Sequence, residues 1–571
     1  MSVQCGIDAH VQAVTALKAE EAAMRYDHAA LSNMSSDEAS ANTIFTRLRD
    51  AEVQSKWTKE GDLINFAGMD FYGAIKNGLG QPSDVWTAVR RMPKGALLHC
   101  HFDGTVDTKF LLEHAKRTEN MCMKADMPLS TQEALWRATV EFLVLPQTAE
   151  RSKVSIWSED YVPGEWVSFK DARISFPYPH PYQMERAASE LHMPNFINPS
   201  ELNGRASRDG THTEDRLDRG QAFDAYIHAL MTLTPHDSIP AITNSKQAWA
   251  RFQSTFVVIA GLIGYEPTLK AYTKELLRSH AQDGISYTET RINFLNEFMV
   301  RADGTPNLAH VEWVRIFIEA VEEVKAEISE GGYIDAKIIY TTVRFIDNEK
   351  LRWYLEDCIM LKKMFPEWIV GFDLVGHEDP LLPLKVYIPE LLRFQQRCKE
   401  EGLSIPFVFH AGETLEDGGD ADLNLYDAIL LDTKRIGHGV SLARHPLLTD
   451  LVKERDICIE VCPISNQVLG YTASICSHPS LLALLHRNVP VALSSDDPSI
   501  FENFGLSYDF YQLIISSQST TLVSLAALAR RSIKYSLVDD KTKEIMFADW
   551  DRRWKAYIAW FLEEYGRWSK Q

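Results

Sequence analysis

The chain has 571 residues, of which 45% are hydrophobic and 24% charged, a composition typical of a folded globular protein and not of a disordered or collagen-like one. Acidic residues outnumber basic ones by 79 to 59, and the resulting formal charge of −20 disfavours nucleic acid and anionic membrane surfaces as partners. The length suits one large catalytic domain with additions.

The N-terminal residues show no targeting signal. Residues 1–8 lack the basic start and continuous apolar core of a signal peptide, and no run of about 18 apolar residues occurs anywhere. The eight cysteines form no C-x-x-C pair, which favours free buried thiols over a disulfide framework. We therefore predict a cytoplasmic protein without a membrane partner, with secretion by a non-classical route as the alternative.

Residues 1–87 are predicted to form an N-terminal helical arm. Helical spacing covers residues 6–58, with a polar break at 32–38 and a second periodic stretch through Ile44, Phe45 and Leu48. The arm carries no obvious chemistry. We expect it to pack on the main domain or on a second subunit.

The first strand is predicted at Ala96–Asp103, and the next one begins only at Ser286. This gap indicates an insertion, which we place at about residues 112–222. Its polar segment at 198–220 is typical of a loop with a solvated charged face. A long apolar helix at 247–263 follows, and its aromatic residues are expected to pack in the core: Trp249, Phe252 and Phe256.

From residue 286 onward, short β-branched runs alternate with amphipathic helical stretches. The strands are predicted at 286–294, 336–345, 368–376, 405–412, 435–440, 457–465 and 489–496. With the first strand they make eight, and most are continuously apolar, as parallel strands buried on both faces are. The predicted class is α/β, a (β/α)8 TIM barrel over residues 88–571, closed by two C-terminal helices.

Potential metal ligands recur where the predicted strands end. His99 and His101 lie two apart in the first strand, so both imidazoles point to the same face. His410, His438 and Asp496 end later strands, and the C-terminal strand ends of such a barrel meet at one mouth. Three histidines and an aspartate from this set suit a divalent ion, with zinc the first choice.

Several stretches resemble the adenosine deaminase family, and within it the longer branch of adenosine deaminase-related growth factors. They occur in family order across roughly residues 90–515, and together they are specific. The matching stretches are Leu98-His99-Cys100-His101-Phe102-Asp103-Gly104, Gly371-Phe372-Asp373-Leu374-Val375-Gly376, His410-Ala411-Gly412-Glu413, Arg435-Ile436-Gly437-His438-Gly439, Cys462-Pro463-Ile464-Ser465-Asn466 and Ser494-Ser495-Asp496-Asp497-Pro498.

The resemblance implies one zinc ion per chain, held by His99, His101, His410 and Asp496. A second metal would usually be bridged by a modified lysine at the end of the fourth strand. Residues 373–378 contain no lysine, which favours a single ion. The resemblance also implies a homodimer formed through the N-terminal arm.

The resemblance further implies roles around a purine. Glu413 would carry a proton to purine N1, and His438 would position the attacking water. Asp497 would hold N7, the backbone around Gly376 would meet N3, and Asp103 would face the ribose. Since Asp497 adjoins a metal ligand and one partner of the N7 contact must carry a proton, a coupled and raised titration is expected there.

The implied activity is hydrolytic deamination of adenosine or 2′-deoxyadenosine to the inosine form with release of ammonia. The alternative is AMP deamination to IMP, with Arg151 or Lys153 of the insertion folding over the mouth to bind the phosphate. A carboxylate at Asp103 would repel a phosphate and favours the nucleoside. A growth-factor-like protein that binds a receptor is a less favoured third hypothesis.

Two features depart from the branch. Cys122 has no evident disulfide partner in the insertion, and His377 follows the glycine expected at the purine.

Overall fold

The computed structural model describes residues 3–57, 83–177, 218–233, 245–328, 332–472 and 478–570. The helices are α1 Val3–Met24, α2 His28–Ser32, α3 Ser36–Glu52, α4 Asp84–Arg91, α5 Thr108–Arg117, α6 Gln132–Arg137, α7 Phe169–Ile174, α8 Arg219–Leu230, α9 Ser245–Ile263, α10 Glu266–Gln282, α11 His310–Glu327, α12 Asn348–Met364, α13 Leu384–Glu400, α14 Asp420–Leu430, α15 Pro446–Glu454, α16 Pro463–Val468, α17 Leu481–His486, α18 Leu506–Ser516, α19 Leu522–Lys534 and α20 Asp540–Tyr565.

The strands are β1 Gly95–His101, β2 Met121–Ala125, β3 Val140–Val144, β4 Val167–Ser168, β5 Ile285–Asn293, β6 Phe298–Met299, β7 Leu308–Ala309, β8 Asp335–Val343, β9 Ile369–Val375, β10 His410–Ala411, β11 Arg435–His438, β12 Cys458–Val461 and β13 Val491–Leu493.

Eight of the strands close into a barrel. Four pair in parallel in the order β1-β5-β8-β9, and four more in the order β10-β11-β12-β13. Parallel bridges from Phe372 to Phe407 and from Cys100 to Asp496 join the two sheets at both edges. The predicted α/β class and (β/α)8 barrel are confirmed.

Several barrel strands are shorter than predicted, for local reasons. The strand expected over 457–465 ends at Val461, because Pro463 lacks a backbone N–H and begins α16. The strand expected over 489–496 is continuous only to Leu493, and Asp496, which forms an isolated bridge to Cys100, takes a left-handed conformation with φ of 58°. In both cases the apolar run in the sequence continues beyond the residue at which the backbone leaves the strand at the C-terminal end of the barrel.

The arm packs against the closing helices. Ser35 and Glu38 form a capping box at the start of α3, and the apolar face of that helix is buried. Arg49 donates to the carbonyls of Ser517 and Thr520 at 3.0 and 2.8 Å. Most of α1, in contrast, is exposed. Packing of the arm on the main domain is thus confirmed for α3, whereas a dimer and the domain boundary at residue 88 stay predictions.

The described part of the insertion forms a small antiparallel sheet of three strands in the order β3-β2-β4. Most of the polar segment predicted at 198–220 lies outside the described residues, and α8 begins at its end. Cys122 forms no disulfide with another described cysteine. None of the described helices is long and apolar enough to cross a membrane, and a cytoplasmic location stays a prediction.

Candidate metal centre and active site

The barrel brings four of the predicted ligands together. One nitrogen or oxygen from each of His99, His101, His410 and Asp496 lies within 4.8 Å of all the others. The Nε2 atoms of His99 and His101 lie 3.2 and 3.1 Å from Oδ1 of Asp496. Asp496 lies close to His99 and His101 although it is about 400 residues away in sequence, because β1 and the end of β13 are neighbours in the closed barrel.

The donor set fits a metal ion because ligand atoms that face one another lack hydrogen-bond partners among the described residues, while the Nδ1 atoms on the far side of the His99 and His410 rings are hydrogen-bonded. Nδ1 of His99 lies 2.8 Å from Oε2 of Glu460, and Nδ1 of His410 lies 2.7 Å from Oδ2 of Asp373. Each Nδ1–H donated in this way leaves Nε2 as the free ligand atom. Among the described residues, Nε2 of His99 and Oδ1 of Asp496 are buried and have no hydrogen-bond partner.

A buried network of ions holds those two carboxylates in place. Arg291 reaches Asp373 through Nε and Glu460 through Nη2, both at 2.7 Å. Arg435 pairs with Glu460 and, at 2.7 Å, with Glu289. Burial alone would raise the pKa of Glu460, but the two arginines hold it well below its ordinary value. The carboxylate therefore stays ionised and accepts a hydrogen bond from the Nδ1–H of His99.

Sequence reasoning did not identify this network. Its signal was present, because ionisable side chains occur inside the predicted barrel strands at Glu289, Arg291, Asp373, Arg435 and Glu460. Buried charges in a barrel core need partners, so their clustering could have been anticipated.

Glu413 and His438 lie beside the ligands. Nδ1 of His438 is 3.3 Å from Oε1 of Glu413, and the amide of Asn466 donates to that same Nδ1 at 3.1 Å. Burial and the carboxylates of Asp496 and Glu378 raise the pKa of Glu413 well above its ordinary value. Burial lowers the pKa of His438 well below its usual range. The geometry thus pairs a neutral acid with a neutral imidazole whose proton lies on Nε2.

Asp497 and Asp103 form an acidic edge of the same cavity. Burial, Asp496 and Asp103 together raise the pKa of Asp497 well above its ordinary value, and burial raises that of Asp103. The backbone at Gly104 passes so close that a Cβ there would lie 1.8 Å from Oδ1 of Asp497. A raised titration at Asp497 was expected, and the structure gives it these causes.

A cavity of about 850 Å³ opens above the ligands. Gly376, with φ of +116°, lies on its wall. Trp249 and Phe252 pack in the core as predicted, yet they also line this cavity, which the helical periodicity did not indicate. The ring of Trp249 stacks on His377, with centroids 4.5 Å and planes 2° apart.

The basic residues considered for phosphate binding lie elsewhere. Arg151 donates from Nε to Cys122 Sγ at 3.2 Å and from Nη2 to Asn120 at 3.0 Å, both within the insertion. Of the described residues that line the cavity, none is lysine or arginine. Neither Arg151 nor Lys153 is among the described lining residues, so the described cavity wall does not support the alternative in which they bind a phosphate.

A parallel (β/α)8 barrel with three histidines and an aspartate at its mouth, beside a buried Glu and His, defines the class of metal-dependent hydrolases. Residues 227–551, more than half of the chain, match the family model described as adenosine deaminase. The chain belongs to the adenosine deaminase family, in its growth-factor-related branch, and is thus an enzyme of the adenosine deaminase type.

Curated relatives agree with this assignment, and a solved structure shares the fold. The chain is 37% identical over 353 residues to adenosine deaminase of Lutzomyia longipalpis, which covers 61% of this chain and 66% of that one. It is 31% identical to adenosine deaminase of Aedes albopictus, covering 86% and 78%, and 29% identical to adenosine deaminase 2 of Sus scrofa, covering 92% and 89%. Arabidopsis ADAL complexed with IMP has a TM-score of 0.52 at 15% identity, covering 82% and 99%, and shares the fold.

Proposed function

We propose that the protein is a zinc-dependent deaminase that hydrolyses adenosine and 2′-deoxyadenosine to the corresponding inosine and ammonia. The observation that carries this proposal is the convergence of four ligand atoms with Glu413 and Asp497 around one cavity whose described lining residues include no cation. The names of the relatives, which are adenosine deaminases, favour the same substrate class.

His99, His101, His410 and Asp496 would hold the ion, and this mixed nitrogen and oxygen set suits zinc. When bound, the zinc supplies Lewis acidity that lowers the pKa of a water molecule to about 7. The Nε2–H of His438 would orient that water toward purine C6 through a hydrogen bond.

Addition of water at C6 breaks the aromatic conjugation of the ring, so N1 must gain a proton in the same step. Glu413 is suited to donate it, because burial and nearby carboxylates keep its side chain protonated. The carboxylate left on Glu413 can then take up the proton released by the water and pass it to the exocyclic nitrogen. Cleavage of the C6–N bond releases ammonia, and the C6 hydroxyl returns its proton to Glu413, which leaves the 6-oxo purine and restores the acid.

Asp497 would orient the base. Its raised pKa lets it donate a hydrogen bond to N7, whereas an ionised carboxylate would repel that nitrogen's lone pair. Gly376 would bring its backbone close to N3. Asp103 and Glu141 line the cavity as well, and their carboxyl groups favour a neutral ribose hydroxyl over a phosphate.

The test is the loss of adenine ultraviolet absorbance when zinc-loaded protein is mixed separately with adenosine, 2′-deoxyadenosine and AMP. We expect turnover of both nucleosides and little or none of AMP. Faster turnover of AMP would contradict the nucleoside assignment and support AMP deamination instead. This alternative is considered because Arabidopsis ADAL, which shares the fold, was solved with IMP bound.

A further inference from the structure

The turn that carries Glu413 is held by a carboxylate from a different strand end. Glu378, which follows β9, accepts hydrogen bonds from the backbone N–H of Glu413 at 2.9 Å and of Gly412 at 3.2 Å. The side-chain amide of Asn424 donates to it at 2.6 Å, and Nη1 of Arg344 lies 3.3 Å away. The side chain of Glu378 has no exposed surface.

Three of these partners donate hydrogen bonds to Glu378, and the fourth, Nη1 of Arg344, faces it as a cation. An ionised carboxylate has only acceptor sites and can serve all of them, whereas a neutral amide of the same shape would present an N–H to some of them. Leaving such buried donors unpaired is costly. The surroundings of Glu378 are thus built for a negatively charged acceptor.

Arg344 holds the same turn from its other end. Its Nη2 donates to the carbonyl of the ligand His410, and its Nε donates to Leu374 at 3.1 Å. Gly412, between the two held positions, has φ of +71°, and a Cβ there would lie 2.8 Å from both Leu425 and Ser441. The backbone from His410 to Glu413 is therefore fixed by paired side chains at both ends.

We propose that Glu378 is a positioning residue for the deamination reaction. Its carboxylate fixes the backbone amides of Gly412 and Glu413 and so sets where the Glu413 carboxyl group stands relative to the bound base. Glu378 also lies two residues after Gly376, so one turn links the wall proposed for purine N3 to the acid proposed for N1. The inference rests on the proposed role of Glu413.

The test is Glu378→Gln in the zinc-loaded enzyme, with adenosine as substrate. We expect kcat to fall about 100-fold, the loss that a displacement of about 1 Å produces, while KM changes less than about threefold. Zinc content should be unchanged, since Glu378 touches none of the ligand side chains proposed. Glu378→Asp keeps the charge but is too short to reach both amides, so its kcat should lie between those of wild type and Glu378→Gln.

Glu390→Gln is the matched control. Glu390 is also a buried glutamate in an ion pair, but it lies in α13 and pairs with Arg352 and Arg393. The kcat of Glu390→Gln should equal that of wild type. If Glu378 had only a structural role, Glu378→Gln would lower the yield of folded protein without changing kcat per bound zinc. A Glu378→Gln enzyme with wild-type kcat would overturn the inference.

Hydrogen exchange of the peptide covering residues 409–416 separates this inference from the proposed function. We expect faster exchange there in Glu378→Gln, and no change in Glu390→Gln, whatever the substrate proves to be. If the wild-type protein deaminated no purine nucleoside, the proposed function would fail. Unchanged exchange in Glu378→Gln would still overturn the inference by itself, and faster exchange would still support it.

Discussion

Replacing Glu460 by glutamine should weaken metal binding although Glu460 is not a ligand. The substitution keeps the shape of the side chain but removes the charge that accepts His99 Nδ1–H and pairs with Arg291 and Arg435. His99 would then lose the partner that fixes its tautomer and ring orientation. Loss of such a partner costs about 10- to 100-fold in metal affinity or activity, which corresponds to about 1.4–2.7 kcal/mol.

The same substitution should also lower the free energy of unfolding. Breaking a buried pair costs about 3–5 kcal/mol when a charge is left alone, but Arg291 keeps Asp373 and Arg435 keeps Glu289, so we expect the lower end of that range. Zinc affinity would be measured by competition with a chelator, and stability by urea unfolding of the zinc-loaded protein.

Glu52→Gln is the control, because Glu52 is also buried but lies in the arm, where Tyr511 donates to it. It should leave zinc affinity unchanged even if stability falls. Zinc affinity within about twofold of wild type in Glu460→Gln would refute the reasoning, since a partner that sets the orientation of His99 cannot be dispensable.

Three further outcomes are expected. His101→Ala should lose both zinc and turnover, measured by metal analysis and the absorbance assay, and activity retained without metal would contradict the ligand set. Glu413→Gln should keep zinc but lose about 100-fold or more in kcat as a proton donor is removed, so a metal-free variant would contradict its role. Burial lowers the pKa of His280 to about 3, so the unfolded chain binds a proton below its ordinary value of 6.5 while the folded one does not. The free energy of unfolding should therefore fall as the pH drops from 6.5 toward 3, and at pH 5 this group alone should lower it by about 2 kcal/mol. Urea unfolding of His280→Gln should show a weaker dependence of the unfolding free energy on pH. The same pH dependence in His280→Gln and wild type would contradict this role of His280.

The sequence by itself determined the barrel and predicted the four proposed ligands that the barrel brings together. Alternation of apolar runs with amphipathic helices predicts eight parallel strands, and the period of two in a strand puts His99 and His101 on one face. Chemistry at the C-terminal strand ends then pointed to His410 and Asp496 without any tertiary information. The barrel and the proximity of these side chains could be predicted because both depend on local periodicity and on one general property of the fold.

Only the tertiary structure decided which groups support those ligands. Glu460 and Asp373 contact histidines from other strands because the barrel closes, and no local pattern pairs Glu460 with His99 across 361 residues. Trp249 shows the same limit, since helical spacing predicts a buried face but not that this face also borders a cavity. Arg151 shows a related limit: its partners, Cys122 and Asn120, are set by how the insertion folds on itself, which no local pattern indicates.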